Sequence, residues 1–282
     1  MRYLMTFSYD GSKFHGYQVQ KGLRTVQAEI ETELTRLNGM KPVKLISSGR
    51  TDALVHAYNQ KGHFDFTKEI KPERVRNSLN RLLKGDIYIK SIVSVNDDFS
   101  ARHDVKEKTY EYKINIGEYN PIETNYIYQY CKKLDIDMMI EGSKYLLGEH
   151  DFSSFVKKDS LKEDNIRNIY KIDINKKGDI ILIDITGNGF MRYMVRNIVG
   201  TLIAVGENKI DPTKVKEILD KKDRIYAKKT APACGLYLKE VKYWHVKSLL
   251  FALKYWQKLN NLVILSLVHF INPIKRVVGR LV

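Results

Sequence analysis

The chain has 282 residues, enough for roughly two domains of about 150 residues each. Hydrophobic residues make up 43% and charged residues 29%, a balance that excludes a globally disordered chain. Lys and Arg number 48 against 33 Asp and Glu, and the surplus of +15 biases partners toward polyanions, either nucleic acid or an anionic membrane surface.

Met1–Asp10 alternates like a strand and runs straight into a turn, so no signal peptide is expected and the chain reads as soluble and cytoplasmic. The strand is Arg2–Tyr9, with Tyr3, Met5 and Phe7 on one face. A glycine-punctuated loop follows (Gly11, Gly16, Gly22) whose aromatics and glutamines do not read as core. Thr25 is placed to cap a helix with Val26, Ile30, Leu34 and Leu37 at helical spacing and Gly39 as its stop. Val43–Ile46 and Tyr58–Phe66 read as strands. Pro72 suits the first turn of a second helix with Val75, Leu79 and Leu82 inward, and Ile87–Val95 closes a β-α-β-β-α-β series.

The series then repeats. Thr109–Ile116 alternates as a strand, and Asp137–Leu147 has helical periodicity. Ile169–Ile174 and Ile180–Ile185 form a hairpin, Phe190–Val205 a long helix, Pro212–Leu219 an extra helix, and Leu236–Val241 the last strand. Two βαββαβ units predict an α+β protein of tandem ferredoxin-like subdomains, residues 1–105 and 106–244, with antiparallel or mixed sheets. Residues 245–282 form a basic tail with six Lys/Arg and no acid. Its apolar run Leu262–Ile271 is well short of the about 20 residues a bilayer span needs.

The chemistry concentrates in Ser47–Ala57, a loop after a strand. Asp52 there reads either as a turn or cap aspartate with Arg50 as a surface ion-pair partner, or as a reactive carboxylate. Elsewhere, Gly187-Asn188-Gly189 lacks the third glycine of a dinucleotide loop, because Arg192 stands in its place; a helix N-terminus near an RNA phosphate suits it better. Cys131 and Cys234 lie too far apart in sequence for a paired-cysteine metal knuckle, and the seven histidines show no paired spacing, so no metal or cofactor is expected. His56 and His63 read as packing or RNA-contacting side chains. Phe14, Tyr17 and Tyr58, interleaved with Lys and Arg, suit stacked bases and phosphates.

Six segments in order carry a resemblance. They are the loop Tyr9–Gln20 with Thr25-Val26-Gln27, Gly49-Arg50-Thr51-Asp52 with Val55-His56-Ala57, Lys108–Tyr112, His150–Phe155, Gly189–Asn197, and Gly235–Leu238. Residues 1–244 thereby resemble the TruA family of tRNA pseudouridine synthases, whose central motif is Gly-Arg-Thr-Asp-x-Gly-Val-His-Ala. The resemblance implies a duplicated α/β architecture, a homodimer, and cofactor-free isomerisation of uridine to pseudouridine at positions 38 to 40 of the tRNA anticodon stem-loop. It implies Asp52 as nucleophile or base and Arg196 as its buried partner. Tyr110 would stack on the uracil and take the proton from its fifth carbon, and Leu236 would wall the pocket. Arg50, His56 and Arg192 would contact the RNA, Arg192 as a surface charge or phosphate contact. Two positions depart from the pattern: Leu54 replaces the motif's second glycine, and Tyr17 stands where tryptophan is usual. A non-catalytic RNA-binding protein of the same fold, or a paralogue acting on a different uridine, remains the alternative.

Overall fold

A computed structural model describes residues 1–83 and 85–244. Met1–Lys242 form one compact unit; of the remaining unit only Tyr243 and Trp244 are described, so the basic tail 245–282 lies outside the described residues.

The strands are β1 (Arg2–Tyr9), β2 (Ile46–Ser47), β3 (His56–Asp65), β4 (Ile87–Val95), β5 (Val105–Asn115), β6 (Tyr128–Gln129), β7 (Gly148–Asp151), β8 (Ile166–Lys177), β9 (Ile180–Gly187) and β10 (Leu236–Tyr243). The helices are α1 (Val26–Leu37), α2 (Pro72–Leu82), α3 (Ile136–Lys144), α4 (Met194–Gly206) and α5 (Lys214–Lys221). All ten described strands join one mixed sheet in the order β4-β1-β3-β10-β5-β9-β8-β7, with β2 added to β3 and β6 to β5. β1 is antiparallel to both β3 and β4, and β9 to both β5 and β8. The strands of the two halves meet where β10 runs parallel to β3, pairing Tyr237 with His56 and Leu238 with Ala57.

The core follows the alternation expected from sequence. Tyr3, Met5 and Phe7 of β1 are fully buried, as are Ile181, Ile183 and Ile185 of β9. In α1 the buried positions are Val26, Ile30 and Leu34, and Gly39 takes a left-handed φ of 67° just past its end.

Several local expectations change. Thr25 occupies the cap position of α1, but its buried hydroxyl has no partner; the first-turn N–H groups of Val26 and Gln27 instead donate to the carbonyls of Gly16 (3.3 Å) and Tyr17 (2.9 Å). The loop aromatics Phe14 and Tyr17 are core, not surface. Tyr17 joins a cluster with Phe7 and Tyr9, while Gln18 and Gln20 stay exposed. Leu82 lies exposed and its neighbour Leu83 is buried, because α2 ends at Leu82 and the chain turns extended at Leu83. The strand expected over Val43–Ile46 shrinks to the two residues of β2, and the edge strands β6 and β7 are too short to show a period.

The change that matters for chemistry is at α4. The helix begins at Met194, not Phe190, since Tyr193 adopts a left-handed conformation with φ 66°. Every residue of α4 except Arg196 is buried.

Candidate active site

The loop ahead of β3 is tied down along its length. The Ser48 N–H donates to the Lys61 carbonyl at 2.8 Å, and the Ser48 hydroxyl to Gln60 Oε1 at 2.7 Å. Gln60, fully buried, returns a bond from Nε2 to the Gly49 carbonyl at 3.1 Å. Lys108 Nζ donates to the Ser48 carbonyl at 2.6 Å from the neighbouring half of the sheet. Thr51 is held through both its hydroxyl, 2.8 Å from that of Tyr9, and its carbonyl, which accepts from the Tyr17 N–H at 3.1 Å. Gly11 lies so close beneath this loop that a Cβ on it would fall 2.1 Å from the Val55 carbonyl oxygen.

These ties present Asp52, with 24% of its side chain exposed, to two guanidinium groups. Arg196 Nη1 stands 3.7 Å from Asp52 Oδ2, and Arg192 Nε 3.4 Å from Asp52 Oδ1. Arg196 is 15% exposed and Arg192 53%. Both cations also lie over the Tyr193 ring, at 4.8 and 5.4 Å from its centroid. The arrangement corrects two readings. Asp52's ion-pair partners among the described residues are Arg192 and Arg196, while Arg50 is exposed. Arg192 keeps its surface exposure but does not lie on α4; it sits in the turn before the helix, and with the left-handed Tyr193 between them both arginines reach one carboxylate.

Tyr110 of β5 is 9% exposed and meets the Phe190 ring edge-on at 5.3 Å. Burial first, then the neighbouring Tyr9 and Asp52, push its phenol well above the usual tyrosine value. Burial likewise pushes Tyr9 up to about 12, against hydrogen bonds from Thr51 and Gln60. Leu236 is buried at the start of β10, just after Gly235, where a Cβ would meet the Lys113 carbonyl and the Tyr112 ring. Tyr112 shares the face of Tyr110, as alternation requires, but is core: its hydroxyl donates to the Pro232 carbonyl at 2.7 Å.

The histidines are committed elsewhere. His56, 3% exposed, accepts the Gly11 N–H at Nδ1 (3.1 Å), which leaves Nε2–H to donate to the Asn125 carbonyl (2.8 Å), and its ring stacks on Tyr237 at 4.6 Å. Burial pushes its pKa down. It therefore anchors the Gly11 turn and is not presented to a ligand. His63 accepts the Ala101 N–H at 2.9 Å and is buried as well. Tyr58 is half-buried, stacked on Tyr237 at 4.8 Å and bonded by Lys113. No cluster of three metal-ligating side chains occurs among the described residues.

Five further groups complete the surroundings: Tyr9, Thr51, Lys108, Phe190 and the carbonyl of Ala231. Tyr9, Thr51, Lys108 and Phe190 lie inside the motif segments without a role of their own there, and Ala231 lies outside all of them; Lys108 also shares the face of Tyr110, two positions away on one strand.

Comparison with known proteins places the chain in a family. A family model described as tRNA pseudouridine synthase matches residues 143–244. The chain is 42% identical over 241 residues to tRNA pseudouridine synthase A of Anoxybacillus flavithermus, covering 86% of this chain and 96% of that protein. It is 42% identical to tRNA pseudouridine synthase A 1 of Bacillus cereus (84% and 97% covered) and to tRNA pseudouridine synthase A of Caldicellulosiruptor bescii (85% and 98%). The chain belongs to the tRNA pseudouridine synthase family.

Two outcomes follow from the loop. Leu54 holds a left-handed φ of 66° and is 42% exposed. A left-handed L-residue costs about 1–2 kcal/mol, and added glycine freedom in the unfolded chain returns about 0.4–1 kcal/mol of that. Leu54→Gly is therefore expected to raise stability by about 0.5–1 kcal/mol in denaturant titration. Burial holds Lys108 down to about 8 from 10.5. The folded state sheds this proton at lower pH than the unfolded chain does, so the stabilisation is complete above pH 10.5 and is lost as pH falls through 8. Measured against Lys108→Met, the wild type should gain about 3 kcal/mol between those limits.

Proposed function

We propose that this chain isomerises uridine to pseudouridine at positions 38 to 40 of the tRNA anticodon stem-loop, with Asp52 as the reacting carboxylate. The observation that carries the reading is the Asp52 carboxylate, partly open to solvent, lying between Arg192 and Arg196 (3.4 and 3.7 Å). An RNA-binding surface has no use for an acid beside phosphates unless the acid reacts, and the two cations offset its charge. The names of the 42% identical relatives supply the substrate class.

In the reaction the bond from the anomeric carbon to N1 breaks and its electron pair leaves with the uracil. The ring then turns, its fifth carbon bonds the anomeric carbon, and the proton displaced there is balanced by one gained at N1. Asp52 serves either by adding to the anomeric carbon or by removing the ribose 2′ proton and returning it. Tyr110 supplies a stacking face for the uracil. Because burial keeps its phenol protonated, it can accept the fifth-carbon proton only while passing its own onward. Leu236 closes the apolar side. Exposed Arg50 and Arg192 are suited to phosphates, and the reaction as written needs no metal or cofactor.

We further read residues 1–105 and 106–244 as tandem ferredoxin-like halves, a division supported by the strand orders β4-β1-β3-β2 and β10-β5-β9-β8. The working form is a cytoplasmic homodimer. No helix among the described residues is long and apolar enough to cross a membrane.

Incubating anticodon-arm transcripts with enzyme and mapping pseudouridine tests the assignment. Asp52→Asn should retain the folded state and lose at least about 10³-fold in rate. Full turnover by that variant refutes the catalytic role, and a wild type without product on any anticodon arm leaves only a binding protein. Light scattering at working concentration should give twice the monomer mass.

A further inference from the structure

Arg196 is aimed from outside its own helix. Its Nε donates to the Ala231 carbonyl at 2.7 Å, and the Ala231 N–H donates back to the Arg196 carbonyl at 3.1 Å. This spends one edge of the guanidinium and turns Nη1 toward Asp52. Ala231 ends a strap, residues 227–231, laid flush along α4: a Cβ on Gly200 would fall 1.8 Å from the Lys229 carbonyl oxygen. Further along, the Lys228 N–H donates to Thr201 Oγ1 at 3.3 Å.

Arg224 holds the strap in shape. Its Nη1 donates to the Ala227 carbonyl (3.0 Å), and its Nη2 lies within hydrogen-bond distance of the Lys228 carbonyl (3.1 Å), Thr230 Oγ1 (2.9 Å) and Asn197 Oδ1 (3.1 Å). The Thr230 hydroxyl in turn donates to Asn197 Oδ1 at 2.6 Å. Asn197, the residue after Arg196, is completely buried, and its Nδ2 donates to the Phe155 carbonyl at 2.7 Å. Two residues beyond Phe155, the Lys157 N–H bonds the Arg192 carbonyl at 3.2 Å. One polar hub thus reaches the backbone of both arginines at Asp52.

Among the described residues no carboxylate pairs with Arg224. Its acceptors are three oxygens of the strap and one on α4, all neutral, so this part-buried cation neutralises no acid. What it does is geometric: a planar fork fixes several acceptors at once, which a flexible ammonium cannot. We propose that Arg224 is a positioning residue for the isomerisation, setting the Arg196 guanidinium at Asp52 through the strap ending at Ala231. The proposal rests on the isomerase reading given above. Misplacing a reacting group by about 1 Å can cost on the order of 10²-fold, and that sets the expected size.

The test uses the full chain, single-turnover and steady-state rates on an anticodon-arm transcript, and amide hydrogen exchange. Arg224→Met should lower kcat by about 10- to 100-fold with KM within about twofold, and Arg224→Lys should recover part of the loss. Thr230→Val, a gentler cut in the same link, should lower kcat in the same direction, so the proposal survives an Arg224→Met protein that fails to fold. In an Arg196→Lys background, Arg224→Met should cost less than about twofold more, because the two act as one unit. The Ala231 amide should exchange faster in Arg224→Met while the β9 amides keep their protection. Equal losses in both backgrounds, a raised KM at unchanged kcat, or an unaltered Ala231 amide each overturns the proposal. A wild type that makes no pseudouridine instead overturns the isomerase reading, a result distinct from all three.

Discussion

The site depends on one short parallel pairing. β3 and β10 are separated by most of the chain, yet two register pairs, Tyr237 with His56 and Leu238 with Ala57, make one sheet of the two halves. Asp52 enters from the loop before β3, Leu236 opens β10 at the same level, and Tyr110 stands on β5, the next strand across. The seam is reinforced by the Tyr237 ring, stacked on both His56 and Tyr58 with Lys113 Nζ 4.4 Å above it. A contact of such long sequence separation forms only once the intervening chain is in place, so the site is an outcome of the complete fold.

Across this seam, charge is arranged asymmetrically. The Asp52 carboxylate keeps some exposure and faces two cations, whereas burial holds the Tyr9 and Tyr110 phenols in their neutral forms.

Backbone strain sits where the two charged segments turn. Leu54 follows Asp52 with φ 66°, and Tyr193, between Arg192 and Arg196, has the same φ of 66°. Neither residue is glycine, so each turn carries a steric cost that the surrounding bonds hold in place. At Tyr193 the turn also brings the ring beneath both guanidinium groups, so the strained residue contributes to the charge arrangement it creates. At Leu54 a left-handed φ that favours glycine is held by a larger residue, so the departure from the motif's glycine costs strain without removing the turn.

Much of this was legible in the residues. Alternation located β1, β4 and β9, helical spacing located α1 and α2, and the Gly49–Asp52 segment with the Arg196 and Tyr110 motifs singled out the residues proposed to react. What misled was local in each case. Phe14 and Tyr17 looked like surface because a loop has no period to reveal that it folds back onto a sheet. Arg192 looked like helix surface because nothing in its neighbours marks Tyr193 as left-handed. The sequence by itself determined which groups are available and the periods of the elements that carry them, since these depend on side-chain type and near neighbours. Only the tertiary structure decided that Arg192 joins Arg196 at Asp52, that His56 is an anchor, and that Arg224 reaches Arg196 through Ala231. Those outcomes depend on distances between segments remote in the chain, set by the β3–β10 seam and by the strap along α4.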